Sequence, residues 1–279
     1  RPPRSTQGVS SAASDVYKRQ HFDQYANVRP SRLLPGIQSP LKNIGPAELD
    51  WVIVRENTEG EYSGAGGRVH PKLPQEVGID VSVFTRDGIE RVMRYAFELA
   101  LSRPKKRLTL VTKSNAQRHG MVLWDEVFVK LKHDYPGITT DRMLVDAITT
   151  RMVLRPQSLD TIVATNLHAD ILSDLAAALS GSLGIGPTAN INPERTFPSM
   201  FEPIHGSAFD LVGKDLANPL GAFWSCVMML EHLQEKKGAS LLMSAIEEVC
   251  REGRHLPIDL GGNSSTGEVT TAVCTALKK

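Results

Sequence analysis

From Leu49 onward, short apolar runs of strand length alternate with longer stretches of helical period, and this alternation most narrows the folds open to the chain. The run Leu49 to Val54 has the length and composition of a buried strand, and Leu108 to Val111, Met143 to Val145 and Thr161 to Ala164 repeat the pattern. Between them lie helical periods. Ile89, Val92, Met93, Ala96, Phe97, Ala100 and Leu101 recur at intervals of three and four behind Thr85, a residue suited to an N-cap, and Pro104 follows as a stop. Met121, Val122, Trp124, Val127, Phe128 and Leu131 form a second apolar face, closed by the turn Pro136-Gly137. Asp170 to Leu179 reads as a third helix, and Gly221 to Leu233, Ala239 to Glu252 and Glu268 to Leu277 as three more. Strand–helix alternation at this spacing predicts an α/β chain of βαβ units with a large, largely parallel sheet. Ile79, Val81 and Val83 alternate with polar residues, which predicts a half-buried strand or arm. The Gly-rich stretch Gly181 to Pro187 is a candidate hinge.

At 279 residues the chain can bury a large core, as one domain or as two sharing a sheet. Its 32 basic and 31 acidic residues nearly cancel, so no nucleic-acid or polyanion surface is expected. No apolar run is long enough to span a bilayer, and membrane association is not expected. Cys226, Cys250 and Cys274 form no framework; they lie in apolar helical stretches and read as reduced, buried and structural, which suits a cytoplasmic location. Residues 1–20 differ from the rest: rich in Ser, Ala, Arg and Pro, without apolar period, they read as a disordered or artefactual tail.

Polar residues follow several predicted strands: Arg55, Lys113, Asp146 and Asn166. Ligands of open parallel sheets bind beyond the carboxyl ends of the strands, so two cations and a carboxylate at one such edge are candidates for function. Asp170 and Asp174 lie four apart on a predicted helix, on one face, with Cβ atoms ~5–6 Å apart. Two readings are open: Asp170 stabilises the helix N-terminus while Asp174 is solvated, or the pair shares a hard divalent cation. The loop from Glu202 to Asp210, closing at Asn218-Pro219, is turn-rich and carries a histidine and an acid, as a phosphate- or ribose-binding loop can. The Gly-x-Gly-x-x-Gly fingerprint of dinucleotide folds is absent; the glycines at 181, 184 and 186 have the wrong spacing.

From about His21 onward these stretches together resemble the β-decarboxylating dehydrogenases, the family of isopropylmalate and isocitrate dehydrogenases. The carrying segments are Gln24 to Pro30 (QYANVRP), Val54 to Tyr62 (VRENTEGEY), Thr112 to Asn115 (TKSN), Val145 to Ala147, Asn166 to Asp174 (NLHADILSD) and the Glu202 to Asp210 loop, in that order. The resemblance implies an isopropylmalate-dehydrogenase-like two-domain fold, N-terminally truncated here. The implied division is 1–20 tail, 21–180 substrate, metal and dimerisation domain, and 181–279 the C-terminal half of an NAD-binding domain. It implies NAD- and divalent-metal-dependent oxidation and decarboxylation of a small 2-hydroxy acid, D-malate or tartrate, with Mg²⁺ or Mn²⁺ and K⁺ as ions. An isopropylmalate or isocitrate activity, or a non-catalytic regulatory subunit of the same fold, are the alternatives.

Residue roles follow from the same resemblance. Arg29 and Arg55, with Arg19 ten residues before Arg29, would clamp the carboxylate of the substrate, a task suited to guanidinium forks. Asp146, Asp170 and Asp174 would hold the metal, with Asp146 coming from a second subunit of a homodimer whose active site is shared. Tyr62 and the partner's Lys113 would handle protons. Glu202, His205, Gly206, Ser207, Ala208, Asp210 and Asn218 would line the cofactor, and the Asp210 carboxylate, by holding ribose hydroxyls and repelling a 2′-phosphate, favours NAD over NADP. The truncated chain is expected to be poorly stable or inactive alone.

Overall fold

The computed structural model describes residues 12–279. Its centre is a seven-stranded sheet. The strands are β1 (Ala26–Arg32), β2 (Asp50–Glu56), β5 (Arg107–Thr112), β6 (Thr139–Leu144), β7 (Thr161–Ala164), β8 (Pro187–Ile191) and β9 (Met200–Pro203), in the order β6-β5-β7-β2-β1-β8-β9. β6, β5, β7 and β2 are mutually parallel; β1 runs against β2, β8 against β1, and β9 against β8. The expected α/β class with a large, mostly parallel sheet is therefore observed, with β1 and β9 reversed. β8 and β9, from the C-terminal half, continue the sheet begun by the N-terminal half, so the stretch between Gly181 and Pro187 leads straight into a central ladder.

β2 shows why the apolar run reads as a strand without alternation. Val54 faces a core of α2 (Arg86–Ser102) and α3 (Gly120–Leu131), with Phe97, Trp124 and Phe128. Trp51 and Ile53 face the opposite core, built with α4 (Val145–Leu154) and α5 (Asn166–Leu179). A strand covered on both faces needs apolar residues in both registers. A third core joins α6 (Leu220–His232), α7 (Lys236–Glu252) and α8 (Thr266–Ala276) around Trp224, Ile246 and Val273.

The helix starts obey local chemistry. Thr85 caps α2, its hydroxyl accepting from the Gly88 N–H, and Thr165 does the same for α5 at His168. α8 opens with a reciprocal capping box between Ser265 and Glu268.

Three expectations need correction. Residues 1–11 of the expected irregular tail lie outside the described residues, but from Ala12 the chain is helical, as α1 (Ala12–His21). That helix is held by polar contacts that no apolar period announces: Gln20 donates to the Thr58 carbonyl at 2.8 Å, and Arg19 lies 3.7 Å from Glu202. Of the three cysteines only Cys250 is buried; Cys226 and Cys274 lie on outward faces of α6 and α8. The strand containing Ile79, Val81 and Val83 is not half-buried. It is instead an arm, the other expectation: as β4 (Val77–Val83) it pairs, among the described residues, only with β3 (Gly60–Val69) in a separate two-stranded ribbon, and its residues are exposed throughout. Among the described residues, no helix is long and apolar enough to cross a membrane.

Candidate functional site

The site forms where β1, β2 and the turn after β2 meet the first turns of α5. Arg55 is not in the loop beyond its strand but within β2, buried, and held by its neighbours: its Nε and one terminal nitrogen donate to Asn166 Oδ1 at 2.9 and 2.6 Å. Its other terminal nitrogen meets Asp170 Oδ1 in a very short contact. Arg29, on β1, donates from Nε to Asn27 Oδ1 (2.7 Å) and from one terminal nitrogen to Ser173 Oγ (2.6 Å) and Asp170 Oδ1 (3.1 Å). Tyr62, on β3, donates to the other oxygen of Asp170 at 3.0 Å, and Arg55 lies over its ring at 5.4 Å. Three residues from three strands thus converge on one carboxylate, whose side chain remains 37% exposed.

The electrostatics follow from burial and charge. Burial would push the Asp170 carboxyl up, but Arg55 and Arg29 outweigh it and hold the carboxyl below its ordinary range. Asp174, one turn on, moves the other way: burial and then the charge of Asp170 raise it. Among the described residues Asp174 makes no hydrogen bond or ion pair. Burial, then repulsion from Arg55, lowers Arg29 to about 9, so it stays cationic at neutral pH. Burial also lowers Arg55, against the pull of Asp170. Tyr62 is raised, by burial first and by Asp170 next, so its hydroxyl keeps its proton at neutral pH.

This geometry suits a hard cation. Two carboxylates one helical turn apart, one of them without a hydrogen-bond donor and raised by its neighbour, offer the oxygen donors that Mg²⁺ or Mn²⁺ takes together with water and substrate oxygens. Among the described residues of a single chain, no group of three His, Cys, Asp or Glu side chains comes together, so any third protein ligand must come from elsewhere. Asp146, in the first turn of α4, is separate: it pairs with Lys113, just after β5, at 2.8 Å, and that pairing lowers its carboxyl. Neither contacts Asp170 or Tyr62 in the same chain. Both remain partly exposed, Asp146 at 65%, which leaves them open to a neighbour.

The cofactor candidates lie after β9. Glu202 turns inward, accepting from Asn190 Nδ2 at 2.9 Å and facing Arg19. Beyond it the chain is exposed. The backbone N–H groups of His205, Gly206, Ser207 and Ala208 find no acceptor among the described residues, Ala208 takes a left-handed conformation (φ 42°), and Asp210 sits in a short 3-10 turn, exposed. Unpaired N–H groups in a turn, with an accessible carboxylate a few residues on, match the needs of a phosphate and a ribose diol. Asn218 donates its amide to Asp259 at 2.9 Å, and its oxygen accepts from the Leu220 N–H at 2.9 Å. A groove of about 570 Å³ between α7 and α8, lined by Val249, His255, Glu268 and Ala272, includes none of these residues.

Two contributors carried no sequence signal strong enough to single them out. Asn27 and Ser173 orient Arg29; the first precedes it by two, and the second lies three beyond Asp170, on the same helix face. Asn166, at the start of α5, holds Arg55.

The family model described as isocitrate/isopropylmalate dehydrogenase matches residues 4–273 of the chain. The chain is 66% identical over 258 residues to a protein of Agrobacterium vitis named "Probable tartrate dehydrogenase/decarboxylase", covering 92% of this chain and 72% of that protein. It is 49% identical over 261 residues to the D-malate dehydrogenase [decarboxylating] of Escherichia coli (strain K12), with the same two coverages. Among solved structures, isocitrate dehydrogenase from Methylococcus capsulatus superposes with a TM-score of 0.89 at 37% identity, covering 98% of this chain and 80% of that one.

Proposed function

Because the chain belongs to the isocitrate/isopropylmalate dehydrogenase family, we propose that it oxidises and decarboxylates a small 2-hydroxy acid, D-malate or tartrate, with NAD and Mg²⁺ or Mn²⁺. The observation that carries this reading is the convergence of Arg29, Arg55 and Tyr62 on Asp170, beside an unpartnered Asp174. Arg29 and Arg55, joined by Arg19, bind the carboxylates of the acid; buried guanidiniums whose other nitrogens are already held by Asn27, Ser173 and Asn166 present the remainder in fixed directions. Asp170 and Asp174 hold the divalent cation, which when bound supplies a Lewis acid for oxyanion charge on the substrate. The loop His205 to Ala208 with Asp210 holds NAD, which when bound supplies the hydride acceptor. Glu202 anchors the start of that loop, and Asn218 shapes its end.

Tyr62 keeps a proton on its hydroxyl, next to Asp170, and delivers it to the carbon left after CO₂ departs. Lys113 of a second copy accepts the proton of the 2-hydroxyl, and Asp146 of that copy completes the cation's ligands. The division of labour is then 21–180 for acid, cation and dimer contacts and 181–279 for the cofactor, in a cytoplasmic homodimer. The exposed apolar row Val77, Ile79, Val81 and Val83 on β4 supports a second copy, since a two-stranded ribbon alone is marginally stable and such a row favours cover.

The test is a panel of D-malate, tartrate, 3-isopropylmalate and isocitrate with NAD and Mn²⁺. Turnover is expected on D-malate or tartrate above the other two, and Asp170→Asn is expected to lower it by about a hundredfold or more. Activity surviving that substitution, or a clear preference for isocitrate, sinks the reading.

A further inference from the structure

The acidic run of the segment Glu56-Asn57-Thr58-Glu59-Gly60-Glu61 has no place in the chemistry above, although it lies between Arg55 and Tyr62. Each of its three glutamates is spent on backbone and hydroxyl donors. Glu61 accepts from the Leu167 N–H at 3.3 Å, at the start of α5. Glu59 accepts from the N–H and hydroxyl of Thr85 at 3.0 and 2.8 Å, at the cap of α2. A Cβ on Gly88 would lie 2.5 Å from Glu59 Oε1, so that clasp requires glycine in the first turn of α2.

Glu56 is the innermost of the three, 1% exposed and without an ion pair among the described residues. One oxygen accepts from the Thr58 N–H (2.9 Å) and hydroxyl (2.7 Å), and the other from the Glu59 N–H (2.9 Å). All three donors belong to the turn that reverses the chain from β2 into β3. Arg91 grips the same turn through the Thr58 hydroxyl at 3.1 Å, and the Glu59 carbonyl accepts from Asn166 Nδ2 at 3.1 Å. Gly60 follows with φ +82°, and its hypothetical Cβ would touch Asn166 and Phe84. Two residues later the Tyr62 hydroxyl meets Asp170.

A buried carboxylate without a cation is costly, and its cost is offset here only by the turn it closes. We propose that Glu56 is a positioning residue, its carboxylate fixing the 57–60 turn so that Tyr62 is delivered to Asp170. The proposal rests on the reading of Tyr62 as the proton donor and adds the part that sets its place. Glutamine at this position is isosteric but turns a donor toward the Glu59 N–H, so the turn loses a bond and gains a donor–donor clash.

The experiment is a double-substitution cycle in the full chain with D-malate or tartrate, NAD and Mn²⁺, together with crystal structures of the single variants. Glu56→Gln is expected to lower kcat by about tenfold while changing the KM of the acid by no more than about threefold. In a Tyr62→Phe background the same substitution is expected to cost less than about twofold, because the hydroxyl it positions is gone. Thr58→Val, which removes one donor and leaves the carboxylate, should show the same pattern at about threefold and serves if Glu56→Gln does not fold. In the crystal, the Tyr62 hydroxyl should leave hydrogen-bond distance of Asp170. A full tenfold loss retained in the Tyr62→Phe background, or an unmoved Tyr62, overturns the proposal. An active wild type in which Tyr62→Phe has no effect overturns the role of Tyr62 first; an unmoved Tyr62 with that role intact overturns Glu56 alone.

Discussion

Glu56 also makes a residue-scale prediction that needs no turnover. Burial raises its carboxyl from 4.5 to about 7, against the hydrogen bonds from Thr58 and Glu59. Between those values the folded chain holds a proton that the unfolded chain has released, so the contribution of this group to stability falls as pH rises through the window. The effect is on the order of 3 kcal/mol at full shift. Glu59, raised by burial as well, acts in the same sense. Denaturant midpoints of wild type and Glu56→Gln at pH 5 and pH 8 check this: the wild type should lose more stability than the variant across that range, and equal losses would refute the assignment. Asp170 and Asp174 show how much of such behaviour lies beyond spacing. The i, i+4 placement put them on one face, but Arg55 and Arg29 lower Asp170 against its burial, whereas burial and then the charge of Asp170 raise Asp174.

At the scale of elements, α2 illustrates how a readable pattern becomes an energetic one. Its stripe from Ile89 to Ala100 was legible because a helix in water sorts residues by the 3.6-residue period. Leu101 falls outside it, exposed, since it lies off the stripe by one position. Phe97 is fully buried and stacks on Tyr135 at 4.7 Å and Phe128 at 5.5 Å, so it ties α2 to α3 and to the turn beyond. Phe97→Ala should destabilise the chain by about 3–5 kcal/mol, and Thr85→Ala by about 1 kcal/mol through the lost cap. Equilibrium urea unfolding measures both; a Phe97→Ala loss below that of Thr85→Ala would contradict the packing described here. The cysteine expectation failed at this scale too. α6 and α8 are apolar enough overall to suggest burial everywhere, yet each has an outward face, and Cys226 and Cys274 lie on it.

For the whole molecule, the proposed homodimer predicts two results. Ile79→Glu places a charge in the exposed row of β4 and should shift sedimentation toward monomer; an unchanged dimer would exclude this ribbon from the interface. Mixing inactive Asp170→Asn and Lys113→Ala chains should restore about a quarter of wild-type activity, since a mixed dimer then carries one intact shared site. No recovery would mean that Lys113 and Asp170 serve within one chain, although there Lys113 pairs with Asp146 and Asp170 with Tyr62 and the arginines.

The sequence by itself determined the elements and the chemistry on offer: buried strands, an amphipathic α2, a cap at Thr85, and arginines, aspartates and a tyrosine in recognisable segments. These are legible because periodicity and capping act over a few residues along the chain. Only the tertiary structure decided which of those groups meet. It reversed β1 and β9, drew β8 into the ladder beside β1, and set Arg29, Arg55 and Tyr62 around Asp170, with Asn27, Asn166, Ser173 and Glu56 holding them. Asn166 and Ser173 act on arginines more than a hundred positions away, Asn27 is itself placed by Thr188 and Asn190 across the sheet, and Glu56 closes a turn in three dimensions; a hydrogen bond across such a distance has no period for a sequence to display.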